Sequence, residues 1–357
     1  MSAPTLEYLL EQMRDRCASD LLLTAGAVPQ LRVNGVFEPC GTVPLDAEAV
    51  QGFISSVLTV NQAAALERDK SLDFTKTFDT IAICRFNVYW QRGALAIAVR
   101  MIPFVIPSMD ELGLPAIVTD FASRPHGLVL ITGPAGSGKS TTMAAMIDFI
   151  NHTQHLHVIC IEDPIEYLHR HGTCIVDQRE IGIDAHSFAD ALRSVFRQSP
   201  DVIMVGEMRD LETVQCVLTL AETGHLILAT LHTPDTTQVI QRIVDVFPAS
   251  RQRQVYLQLA MVLQGVIAQR LLITRDGDRR MLACEVINVN QAIRNLIRET
   301  HVEQIYSVIQ TSAAEGMMTM NESLKRLCDK GCVDTETALR YSARPKELRR
   351  MLNVTAG

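Results

Sequence analysis

The sequence predicts an α/β protein in two parts, the second built on a parallel sheet with helices on both faces. Three observations predict it. Leu128–Thr132, Val158–Ile161, Val202–Val205 and Leu226–Leu231 are short runs, almost wholly apolar, separated by helical stretches. Strands of that kind are buried on both faces, as parallel strands are. The first of them runs into Gly133-Pro-Ala-Gly136-Ser-Gly138-Lys139-Ser140, which fits G-x-x-x-x-G-K-[ST] at every specified position in a strand–loop–helix context. Pro103 and Pro107 fall close together in Met101–Ser108, as in a semi-rigid linker. The expected organisation is an N-terminal domain over residues 1–100, a linker over 101–114 and a second domain over 115–357, mostly helical from about residue 290.

Thr5–Ala18 places Leu6, Leu9, Leu10 and Met13 on one helical face. Asp20–Ala25 reads as a short strand, and Gln30–Phe37 contains the hairpin signal Val33-Asn34-Gly35-Val36. Helices are expected at Asp46–Leu58 and Asn61–Lys70, and strands at Leu72–Phe78, Ile81–Trp90 and Ala94–Met101. If Arg92-Gly93 is a two-residue turn, Gln91 faces Ala94 and Arg85 lies opposite Arg100, beside Asn87 and three alanines. Like charges facing each other across a ladder repel, and an anion between them would offset this. The alternative is that both guanidiniums extend into water. Beyond the glycine-rich loop, helices are expected at Lys139–Ile150, at Ser187–Gln198 with Arg193 and Arg197 on one face, and at Leu211–Thr223. Ala292–Glu299 sets Ile293, Leu296 and Ile297 against Arg294, Arg298 and Glu299 on the other side. Thr319–Lys330 begins with a capping box (Thr319, Glu322) and stops at Gly331, and Pro345–Leu352 makes a last helix.

Composition narrows the class. A chain of 357 residues, 47% apolar and 20% charged, is in the range of soluble globular proteins. No apolar run approaches a membrane span and Met1–Asp20 lacks a secretory pattern, so a cytosolic location is expected. Nine scattered cysteines without a C-x-x-C read as reduced thiols. A net charge of −7 argues against nucleic acid as a partner. Histidines 152, 155, 157, 169 and 171 lack a ligand spacing and read as solvated loop residues.

The chemistry gathers at the strand ends. Glycines let backbone N–H groups close around phosphate oxygens, and the next helix points its positive end at the same anion. Gly133, Pro134, Ala135, Gly136, Ser137, Gly138, Lys139, Ser140 and Thr141 form the expected nucleotide-binding set. Lys139 would neutralise the β- and γ-phosphates of a nucleoside triphosphate, and the Ser140 hydroxyl would ligate Mg²⁺. Ligands of open parallel sheets lie beyond the carboxyl ends of the strands. Three further apolar runs end in Glu162-Asp163, in Glu207 and in His232, two acids and an imidazole for a γ-phosphate. Glu207, where a simpler phosphate-loop protein carries aspartate, would be metal-shell ligand or base, and Glu207 or Asp163 would reach the metal through water. No N-K-x-D is present to read guanine.

With the phosphate loop, the acidic box Ile161-Glu-Asp-Pro-Ile-Glu166-Tyr, Val202–Asp210 with Glu207, the histidine box from Thr223-Gly-His225 to His232, and Ala292-Ile-Arg-Asn-Leu-Ile-Arg-Glu299, the chain resembles the secretion ATPase superfamily, and most closely the type IV pilus retraction ATPases, the PilT family. The resemblance runs nearly end to end, with Ala135 in place of a common threonine and Cys17-Ala18 in place of a usual Gly-Gly. It implies a PAS-like N-terminal domain, a RecA-like ATPase domain and a homohexameric ring that hydrolyses ATP with Mg²⁺ to power pilus retraction and twitching. In that pattern Glu162 is the catalytic base, Glu207 the second-motif acid and His232 the nucleotide sensor, and Arg85 and Arg100 reach nucleotide phosphates. The helix at Ala292–Glu299 would face the platform protein of the inner membrane, with no segment inserted in the bilayer. The rivals are an accessory retraction paralogue, an extension or type II secretion motor (disfavoured by the missing four-cysteine module), a DNA-translocating ATPase, and a nucleotide switch without turnover.

Overall fold

The computed structural model describes residues 4–353 except 34, 79–81, 103, 104, 234 and 278. The chain divides into two compact units, Met1–Val105 and Ile106–Gly357.

In the first unit α1 (Leu6–Asp15) buries Leu6, Leu9, Leu10 and Met13, the stripe its sequence spacing predicts. It is followed by β1 (Asp20–Thr24), β2 (Gln30–Val33), β3 (Val36–Pro39), α2 (Ala47–Val57), α3 (Val60–Asp69), β4 (Ser71–Phe78), β5 (Ala82–Gln91) and β6 (Ala94–Ile102). The strands form one antiparallel sheet in the order β3-β2-β1-β6-β5-β4. Asn34 of the β2–β3 hairpin lies outside the described residues. Arg92 (φ 49°) and Gly93 (φ 76°) both adopt left-handed backbone, the geometry of a two-residue hairpin turn, and this fixes the register that sets Arg85 opposite Arg100. One sheet face carries Leu21, Leu23, Phe86, Val88, Ile97 and Val99 into the core with α1 and α2. The other carries Arg85, Asn87, Ala98 and Arg100, as strand alternation requires. Cys17, where glycine was expected from the resemblance, takes the left-handed conformation at φ 51°.

The second unit begins with α4 (Ile117–Ala122), β7 (Gly127–Thr132), α5 (Lys139–Thr153), β8 (His157–Glu162), β9 (Ile175–Glu180), α6 (Phe188–Val195), β10 (Val202–Val205), α7 (Leu211–Glu222) and β11 (Leu226–Leu231). There follow α8 (Thr236–Asp245), α9 (Ala249–Val262), β12 (Leu263–Ile273), β13 (Arg280–Asn288), α10 (Gln291–Arg298), α11 (Ile305–Thr311), α12 (Met320–Asp329), α13 (Thr335–Tyr341) and α14 (Pro345–Met351). The sheet order is β13-β12-β7-β11-β10-β8-β9, parallel from β12 to β9 with β13 antiparallel at one edge. Every residue of β7, β10 and β11 is buried, and separate apolar clusters pack on the two faces.

Several expectations need correction. β9, α8, α9 and the β12–β13 pair were not anticipated. Helix α6 ends at Val195, so Arg197 stands in the following turn while Arg193 pairs with Asp190 and Glu212. The histidines are not all solvated loop residues: His152 closes the last turn of α5, His157 opens β8 and meets Asp177 at 3.0 Å, and both ring nitrogens of His169 are buried without a partner among the described residues. No histidine joins a metal-holding cluster among the described residues.

Candidate active site

The site assembles where β7, β11, β10 and β8 end together. Register places Thr132 beside Leu231, Val205 beside Ala229, and Val205 beside Ile161. The residues that follow, Gly133, His232, Gly206-Glu207 and Glu162, therefore leave the sheet at its carboxyl end, with a helix start behind the first of them.

The phosphate loop owes its path to its glycines. Gly133 has φ 145°, and a Cβ there would lie 2.4 Å from the Gln269 carbonyl; Gly138, at φ 89°, caps α5 without a side-chain hydrogen bond. The backbone N–H groups of Gly136, Gly138, Lys139, Ser140 and Thr141 donate to no acceptor among the described residues. That is an open set of donors on the positive end of a helix, and it fits a phosphate tail. Lys139 Nζ rests on the carbonyls of Gly133 (2.9 Å) and Pro134 (3.1 Å), and burial pulls its pKa below the ordinary lysine value while Glu207 and Glu166 act the other way. The Ser140 hydroxyl has no hydrogen bond among the described residues, which fits a metal ligand.

From Lys139 a chain of polar contacts crosses the strand tips. Its ammonium lies 3.4 Å from His232 Nδ1, His232 Nε2 lies 2.9 Å from Glu207 Oε1, and Arg209 Nε meets the same oxygen at 2.5 Å. Burial works to raise the Glu207 pKa, but Arg209 and His232 outweigh it and hold the carboxyl below its ordinary value. Glu207 is thus an anion poised between two cation-capable groups. On the other side of β10, Gly206 packs closely on β8, where a Cβ would approach the Ile161 carbonyl to 3.2 Å and Glu162 Cα to 3.3 Å. His232 is fixed from behind: buried Thr132 Oγ1 accepts from Thr233 N–H at 3.0 Å and donates to the Thr233 carbonyl at 2.7 Å.

Glu162 stands apart from that chain, three strands from β7 and 6% exposed. Strand spacing separates the β7 and β8 tips by roughly 14 Å. Because Lys139 already reaches His232 on the neighbouring strand, the gap left to Glu162 is shorter than the backbone spacing. Burial lifts the Glu162 pKa to about 7 against hydrogen bonds from Gln178 (Nε2 to Oε1, 3.0 Å) and the Glu166 N–H (3.4 Å). Gln178 lies in β9 and was missed in the sequence. Among the described residues, Asp163 makes no ion pair.

The two arginines of the first unit face each other in the predicted register, but no external anion is needed to offset their charge. Arg100 Nη2 meets Asp20 at 2.9 Å and Arg85 Nη2 meets Asp73 at 3.8 Å, both acids coming from neighbouring strands. The four side chains line a depression of about 200 Å³.

The family model for the type II/IV secretion system proteins matches residues 107–340. The type IV pilus retraction ATPase PilT of Pseudomonas aeruginosa is 44% identical over 321 residues, 90% of this chain and 93% of the relative. The chain belongs to the PilT family of type IV pilus retraction ATPases. A second relative in P. aeruginosa, the type IV pilus ATPase PilU, is 38% identical over 98% of this chain and 91% of its own length. Among solved structures, the pilus retraction motor PilT with bound ADP superposes with a TM-score of 0.92 at 45% identity, over 98% of this chain and all of that one. The expected fold class, recognition and ATPase activity therefore stand: this is a mixed α/β PilT-family ATPase with an N-terminal unit ahead of the catalytic one. No helix among the described residues is long and apolar enough to cross a membrane.

Proposed function

We propose that the chain is the motor of type IV pilus retraction, a homohexamer at the cytoplasmic face of the inner membrane that turns ATP hydrolysis into removal of pilin subunits through a platform protein. The contact chain from Lys139 through His232 to Glu207, laid across the strand ends above an uncapped helix, carries the reading. The open N–H groups of the loop and Lys139 hold the triphosphate tail. Mg²⁺ would be held by the Ser140 hydroxyl, with Glu207 or Asp163 reaching it through water, and supplies charge neutralisation on the phosphates. Glu162 takes the proton of the attacking water, a task suited to a carboxyl that titrates near neutrality. His232, in contact with both Lys139 and Glu207, senses whether the terminal phosphate is present. Arg85 and Arg100 act as phosphate contacts, on their own subunit or a neighbour's, exchanging Asp73 and Asp20 for the nucleotide. The exposed side of α10 meets the platform protein.

A second reading is a companion motor like PilU, favoured by that relative's match across 98% of this chain. Deleting the gene and scoring twitching and surface pili separates the two. Dense pili without twitching support the retraction motor; twitching that persists moves the chain to the second reading, and bald cells would overturn both.

A further inference from the structure

We propose that Gln178 is the positioning residue for Glu162, holding its carboxylate and the loop after it in one arrangement against the phosphate-loop helix; this rests on Glu162 being the base. Gln178 is a diagonal neighbour of Glu162 across the β8–β9 ladder, within reach of a long side chain. Its amide nitrogen donates to Glu162 Oε1 at 3.0 Å and to the Tyr167 carbonyl at 2.7 Å. Its amide oxygen accepts the His169 N–H at 2.9 Å.

Two acceptors at one end and a donor at the other leave the amide a single sensible orientation. Turned over, it would set its oxygen against a carboxylate and a carbonyl and its NH₂ against an N–H. The donor to Glu162 is therefore fixed by two further bonds that involve no catalytic group. Among the described residues, Glu162 Oε2 receives only the long Glu166 contact of 3.4 Å, which leaves that oxygen the freer of the two to face a water. The loop clipped by Gln178 also reaches the phosphate loop, because the Tyr167 hydroxyl meets the Thr141 hydroxyl at 2.9 Å in the first turn of α5. One side chain thus ties together the base, the loop behind it and, through Tyr167, the helix that holds the phosphates. A base displaced by about 1 Å loses between about tenfold and a hundredfold in rate.

Gln178→Met keeps the length of the side chain and removes its polar end. The expected result is a kcat lowered by about tenfold to a hundredfold, with ATP affinity, measured with a non-hydrolysable analogue, within about twofold of the native value. In a Glu162→Gln background the same change should cause no further loss of kcat, because no base is left to position. An equal fold-loss in both backgrounds, or a loss confined to affinity, overturns the proposal. If Gln178→Met does not fold, the isosteric Gln178→Glu replaces the donor with a second carboxylate facing Glu162; its kcat should fall at least as far, and a native kcat overturns the proposal. A native rate in Glu162→Gln alone would instead remove the base assignment, and the positioning role with it.

Discussion

Glu162 shows how one residue's surroundings set its chemistry. Its carboxyl is buried, and two hydrogen bonds only partly offset the cost of ionising it, so it titrates near pH 7 rather than at the ordinary 4.5. A base works only when ionised, so turnover should rise with pH through about 7. Glu162→Gln should remove that limb and lower kcat by about a hundredfold or more. The effect on stability has the opposite sense. The folded protein holds this proton more tightly than the unfolded chain does, so between about 4.5 and about 7 stability falls as pH rises. Glu162→Gln should therefore be more stable than the native chain at pH 8, by up to about 3 kcal/mol, and equal to it near pH 4. Denaturant melts at the two pH values check this; an equal difference at both would contradict it. Cys17 is a second case. A non-glycine residue at φ 51° costs about 1–2 kcal/mol, so Cys17→Gly should raise stability by about 1 kcal/mol once glycine's added chain entropy is subtracted. An unchanged or lowered melting midpoint would show that no strain is held there. The Arg85–Arg100 pairing was legible in the sequence because the short Arg-Gly turn fixes the register. Asp20 and Asp73 were not, because they come from strands whose partners no local spacing reveals.

At the scale of elements, legibility followed burial. The strands that end in the site read clearly because both their faces are covered and their residues are apolar throughout. The edge strand β9 buries only Val176 fully and otherwise reads Ile-Asp-Gln-Arg-Glu, so Gln178 was hidden with it. Helix α9 passes into β12 between Val262 and Leu263 with no turn residue, and Gln264 and Gly265 interrupt the apolar pattern that would mark the strand. Polar residues were also misjudged where they cap. Arg294, expected on the polar side of α10, donates to the carbonyls of Ala260 (2.7 Å) and Met261 (2.9 Å) and to Gln264 Oε1 (3.2 Å), closing the C-terminus of α9. Arg294→Ala should lower unfolding free energy by about 1–2 kcal/mol. Arg298→Ala, which among the described residues loses a single long contact to Asn295, should stay within about 0.5 kcal/mol of the native chain. Equal losses in the two variants would contradict the capping role.

At the scale of the whole molecule, the four strand ends act together. Residues more than ninety positions apart in sequence, Lys139 and His232 among them, meet because parallel strands all point the same way and deliver their carboxyl-terminal residues to one end of the sheet. That rule made the grouping legible before any coordinates, while the distances within it depended on contacts no sequence pattern records. Phosphate release in a single turnover, with ATP occupancy read separately, tests the grouping most directly when the native chain is set beside Lys139→Ala and Glu162→Gln. The native chain should bind ATP and release phosphate, Lys139→Ala should fail to hold the nucleotide, and Glu162→Gln should fill its site and release almost nothing over the same interval. Phosphate released by Glu162→Gln at the native rate, or ATP held as tightly by Lys139→Ala as by the native chain, would contradict it.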